Sequence, residues 1–161
     1  MVSGRVIRSM LSAVRKKKGV EGLRRVIDEI NRDSILFTDE DEVKSRADYP
    51  YEMAEKVLKA VEGVLGEETL AEHLFQTTTR PIMPFKKGNV RKAIERAVEH
   101  AHRQFPMFQY KIEVLTEHAF RIKVTGSGTA RIYLQKKIRE SFPEAVISVK
   151  DGTITVRIET D

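Results

Sequence analysis

The chain has 161 residues, a length suited to one domain around one core. It contains no cysteine, which excludes disulfides, thiolate catalysis and cysteine-based zinc sites. Its 29 Lys and Arg outnumber 24 Asp and Glu, and the pI near 9.5 raises the question of a nucleic-acid partner, yet acids interleave with bases almost everywhere.

Helical apolar spacing governs residues 4–105, and alternation mostly governs 106–161, so the expected fold class is α+β in a single domain. The helical part fills the first two thirds, and a ββαββ antiparallel sheet unit closes the chain. Val6, Ile7, Met10, Leu11 and Val14 form a first stripe. Arg8 and Arg15 interrupt this segment, so neither a signal-peptide core nor a membrane span is expected, and the cytoplasm is the default compartment. The basic run Arg15 to Lys18 ends that helix, where cations oppose the dipole. After a break at Gly19, Leu23, Val26, Ile27 and Ile30 form a second stripe, which together with the first reads as an αα-hairpin. Residues 31–49 lack a helical period and read as loop. Pro50 suits a first helical turn, Met53, Val57, Ala60, Val61, Val64 and Leu65 make a strong face, and Gly66 closes it. A short helix with Leu70 and Leu74 follows, then a breaker from Thr77 to Pro84. Asn89 can cap a helix running through Val90, Ile94, Ala97, Val98 and Ala101 to Phe105.

In the second part, Phe108, Tyr110, Ile112 and Val114 alternate with polar residues, as do Phe120, Ile122 and Val124. Ala130, Leu134, Ile138 and Phe142 mark a helix after Gly126-Ser127-Gly128. Asp151-Gly152 is a two-residue hairpin turn; pairing outward from it sets Val149 opposite Ile154, Ile147 opposite Val156 and Ala145 opposite Ile158.

The string from Tyr49 to Gly66, YPYEMAEKVLKAVEGVLG, resembles the helix of heme-nitric oxide/oxygen-binding (H-NOX) domains that begins at Tyr-Pro and ends in Val-Leu-Gly. The opening Gly4-Arg5-Val6, the break near Gly19 and Phe105-Pro106 before a ββαββ ending are similar to that family too. The resemblance places the chain in the wider superfamily of TRAPP-type and four-vinyl-reductase ligand-binding domains. It implies a small-molecule-binding sensory or regulatory domain without catalysis.

It does not carry over the heme. In the family a histidine on the helix before the sheet holds the iron, and anchoring on Phe105-Pro106 puts Val98 there. Valine cannot ligate iron. His102, one turn on, is the remaining candidate, whereas His100 is expected to point away from the apolar face. The family's Tyr-x-Ser-x-Arg clamp for the propionates matches Val124 to Gly128, which has neither Tyr nor Arg at the required spacing. No cofactor is therefore expected, and the domain reads as a non-heme member.

The candidate pocket for an apolar ligand comprises Tyr49, Met53, Val57, Val61, Ile94, Val98 and His102. Gly126, Ser127, Gly128 and Thr129 form a candidate anion site at a helix N-terminus. His73, His100, His102 and His118 lack metal-ligand spacing, and no metal is expected. An alternative reading is a nucleic-acid or ribonucleoprotein accessory domain, using Arg131, Lys136, Lys137 and Arg139. Self-association or a partner protein is expected if the Val6–Val14 stripe is left uncovered. Abundant Lys, Glu and Arg without Cys or Trp is a composition that heat-adapted proteins share.

Overall fold

Gly19 decides the path of the first helical segment. In the computed structural model, which describes residues 1–78 and 90–159, α1 (Gly4–Ile30) runs up to and on from this residue, whose φ of 70° and ψ of −169° interrupt the helix. A side chain with a Cβ resists such a φ, so the break sits where glycine is. Both apolar stripes are buried: Ile7, Met10, Leu11 and Val14 before the break, Val26 and Ile30 after it, have no exposure. The Val6–Val14 stripe is thus already covered within the chain, which removes the sequence argument for a partner there. Arg15, Lys16, Lys17 and Lys18 are exposed, as expected of a helix end.

Two compact units follow from the packing, Met1–Thr78 and Thr79–Asp161. The first holds α1, α2 (Tyr51–Leu65) and α3 (Glu67–Thr78), with α2 packed along α1 and α3 touching both. Its start is tied to the segment before α2 by a bridge too short to leave an alternating signature, β1 (Val2–Ser3) against β2 (Asp48–Tyr49), antiparallel with Val2 opposite Tyr49. Pro50 precedes the first turn of α2, where its missing N–H costs nothing. Of the stretch read as loop, residues 40–42 form a 3₁₀ turn. The breaker expected from Thr77 begins later, because α3 continues to Thr78. Thr77 donates its hydroxyl to the His73 carbonyl at 2.8 Å, the back-bond that lets a threonine remain in a last helical turn. The rest of the breaker and the Asn89 cap lie outside the described residues.

The second unit starts with a helix: α4 (Val90–Gln104) belongs with the sheet rather than with the preceding helices. It packs on α5 (Gly128–Ser141) and against β3 (Gln109–Thr116). The antiparallel sheet is completed by β4 (Ala119–Thr125), β5 (Val146–Lys150) and β6 (Thr153–Arg157), in the order β3-β4-β6-β5. Val149 pairs with Ile154 and Ile147 with Val156, the register expected from the hairpin, and Asp151 and Gly152 take the positive φ values (51° and 76°) that such a turn needs. The paired ladder ends at Val146 opposite Arg157, and the Ala145 and Ile158 N–H groups bond instead to the Phe142 and His118 carbonyls. One expectation fails at the margin. Val149, read as facing the core, is 40% exposed, because β5 is an edge strand and its end has a neighbour on one side only.

Candidate functional site

In the helical unit, the Tyr49 phenol accepts a hydrogen bond from the Lys44 N–H at 2.7 Å, and its ring lies against Gly4, where an added Cβ would collide with both the Lys44 carbonyl and that ring. Tyr49 therefore braces the start of α1. Val57 and Val61 have no exposure and lie on the face of α2 that also buries Ala54 and Leu58. They are packing residues. Met53, half-buried at the margin of that face, has surface to offer, as does the half-buried Tyr49.

In the second unit, Ile94 is buried on the stripe Val90, Ala93, Ile94, Ala97 and Ala101 of α4. Val98 is half-buried on one flank of that stripe, and it has no donor atom for a metal. The two histidines exchange the places expected of them. At about 100° per residue, His102 falls on the order of 120° from the centre of the buried stripe and His100 about 80° from it on the side opposite Val98. Accordingly His102 is exposed, meeting Tyr110 edge-on with ring centres 5.8 Å apart, while His100 is half-buried. The Tyr110 hydroxyl lies 3.2 Å from the Ala101 carbonyl and 3.1 Å from that of Phe105, a further donor to two carbonyls that already accept the Phe105 and Phe108 N–H groups. Burial, with Tyr133 nearby, pushes this phenol well above its ordinary range.

The basic residues read as a stripe on α5 do not form one. Lys137 is completely buried, with its Nζ 3.5 Å from both carboxylate oxygens of Glu140, and burial pushes its amine below the usual lysine range. Arg139 donates to the Ala145 carbonyl at 3.3 Å. Lys137 thus drops out of the basic set that, with the pI, suggested the nucleic-acid alternative.

At the start of α5, Ser127 and Thr129 carry hydroxyls that are buried without a hydrogen-bond partner among the described residues. Gly126, with φ of 141°, lies directly under the Phe108 ring. The close approach that glycine permits here is taken by an aromatic side chain. Among the described residues, no three His, Asp or Glu side chains gather in a way that would hold a metal ion.

Two imidazoles give the protein a pH dependence. Burial, followed by the fields of Lys16 and Lys17, lowers the proton affinity of His73; burial, followed by Lys137 and Arg103, does the same for His100 against the opposing pull of Glu140 and Glu99. As pH falls past the ordinary histidine value of about 6.5, the unfolded chain takes up these protons first. Stability is therefore expected to fall between about pH 7.5 and 5.5, with a ceiling of about 1.4 kcal/mol per pH unit for each proton. Urea denaturation across that range checks it, and His73→Gln should flatten the profile.

The helical unit also holds a cleft of about 530 Å³ along the polar side of α1. Sequence reading passed over it, although Arg5, Arg8, Ser9, Ser12, Arg15 and Lys16 recur at the three- and four-residue spacing that defines one helix face.

Neither a family model nor a curated protein matches the sequence. Solved structures do match the fold. The Fe(II) unliganded H-NOX protein from K. algicida superposes with a TM-score of 0.57 at 16% identity, covering 99% of this chain and 98% of that one. A point mutant of the T. tengcongensis H-NOX gives 0.55 at 12% identity, covering 99% and 98%. The fold is H-NOX-like. At such identities the likeness concerns the path of the chain, and residue roles must come from this sequence. No helix among the described residues is long and apolar enough to cross a membrane.

Proposed function

We propose that this chain is a small-molecule-binding sensory or regulatory domain of H-NOX-like fold that works without heme and without catalysis. The observation that carries the reading is the combination of that fold over 99% of the chain with Val98 at the position the resemblance assigns to the iron ligand. The exposed setting of His102 and the absence of a Tyr-x-Ser-x-Arg string support the heme-free form, since iron needs an axial donor and the propionates need a clamp. The ligand is apolar. Met53, at the margin of the buried face of α2, is the residue assigned to touch it, while Val57 and Val61 hold that face in place.

Two measurements test the reading. The purified protein is expected to be colourless, and after hemin is added no Soret band should survive gel filtration. A stable Soret band that disappears in His102→Ala would overturn the heme-free assignment. Native mass spectrometry is expected to show a retained adduct of defined mass that is lost on denaturation. A protein that retains nothing, and takes up nothing from a panel of apolar compounds, would overturn ligand binding itself.

A further inference from the structure

The geometry points to a second, independent ligand site: the cleft along the polar face of α1 binds a phosphate-bearing small molecule. Its walls come from three segments of one compact unit. α1 supplies Arg5, Arg8, Arg15 and Lys16, the 3₁₀ turn supplies Glu40 and Asp41, and α3 supplies His73. At about 530 Å³ the cleft falls within the roughly 300–1,000 Å³ usual for small-molecule sites.

Charge identifies the ligand class. Four cations face two carboxylates, a balance of 4 − 2 = +2 within the cleft. The carboxylates are already engaged: Glu40 by Arg15, and Asp41 by Arg8 at 3.5 Å, with Arg8 also donating to the Val43 carbonyl at 3.2 Å. These contacts orient the two central guanidinium groups. Arg5 and Lys16 have no ion-pair partner among the described residues and carry the unbalanced charge. A phosphate monoester, with a charge of about −1.5 to −2 at neutral pH, matches that excess better than a single carboxylate does. Arginine also offers the paired N–H geometry that phosphate oxygens accept.

The cleft holds hydrogen-bonding groups with nothing else to bind. The Ser12 hydroxyl and the imidazole of His73 make no hydrogen bond among the described residues, and His73 is only 5% exposed although it lines the cleft. The ring faces the cleft, where a bound phosphate ester would supply an acceptor for its N–H. Ser9 already donates to the Arg5 carbonyl at 2.8 Å, which leaves Ser12 as the cleft serine of α1 available to a ligand.

Adenosine 5′-monophosphate and inorganic phosphate, titrated separately into ¹⁵N-labelled full-length protein, test the assignment. Saturable shifts of the Arg5, Ser12, Lys16 and His73 amides with either probe are expected, with affinity falling several-fold between about 50 and 200 mM salt. The double variant Arg5→Gln/Lys16→Gln, which changes exposed side chains, should weaken binding at least tenfold, and Ser12→Ala should weaken it with the fold intact. Lys59→Gln, an exposed lysine on α2 outside the cleft, should stay within twofold of the parent. Absence of shifts with both probes up to about 10 mM overturns the proposal. Binding that the double variant leaves unchanged, or that Lys59→Gln weakens equally, overturns it as well. None of these outcomes depends on whether an apolar ligand is bound elsewhere.

Discussion

Replacing Phe120 by alanine is expected to lower stability by about 3–5 kcal/mol, the range for removing an aromatic ring from a close-packed core. Phe120 has no exposure and stands on the inner strand β4, opposite Val114 of β3 on one side and Val156 of β6 on the other. Its ring therefore fills space in the middle of the apolar face of the sheet, and the cavity left behind cannot collapse without shifting both neighbours. Val114 shares the same cross-strand row but is 43% exposed, so Val114→Ala should cost about 1 kcal/mol or less. Guanidinium unfolding of the two variants measures the contrast. A Phe120→Ala cost no larger than that of Val114→Ala would mean that this row is not the core of the sheet.

The sheet was legible because two independent signals agreed there. The Asp151-Gly152 turn and the alternation of Ile154, Val156 and Ile158 both demanded one register, and a slip by one residue would have turned every apolar side chain outward. The helical stripes were legible for a similar reason, since Ile7 to Val14 and Val26 to Ile30 repeat often enough to define a face. The bridge between Val2–Ser3 and Asp48–Tyr49 was not, because two residues cannot show a period.

Single side chains were read less well than faces. The charge of Lys137 predicts a surface cation, but its place on the buried row Tyr133, Lys137 and Ser141 turns it inward, where Glu140 meets it. The spacing of one turn from Val98 predicts His102 on the apolar face, whereas the buried stripe Val90, Ala93, Ile94, Ala97 and Ala101 has Val98 on its flank and His102 beyond it. The cleft along α1 leaves no contiguous signal: the run from Arg15 to Lys18 is conspicuous in the sequence, while the periodic set from Arg5 to Lys16 is what forms a surface.

Gly126→Ala is expected to destabilise the second unit by about 2–6 kcal/mol, the sum of two separate penalties. The φ of 141° at this residue belongs to a region that residues with a Cβ avoid, which accounts for about 1–3 kcal/mol. The added Cβ would also run into the Phe108 ring, which is held in a stack with Phe105 at 6.3 Å between ring centres, and overpacking of this kind adds about 1–3 kcal/mol. A double-mutant cycle separates the two contributions. Phe108→Ala in the Gly126→Ala background should recover the steric part, giving a coupling of about 0.5–3 kcal/mol, while the φ penalty remains. The same variant distinguishes the two roles open to the turn before α5. If Gly126 serves the approach of Phe108, stability falls and phosphate binding by the cleft along α1 is unchanged. If it also serves an anion at the α5 N-terminus, where the Ser127 and Thr129 hydroxyls lack partners, an anion-dependent rise in the parent's melting temperature is lost in the variant as well.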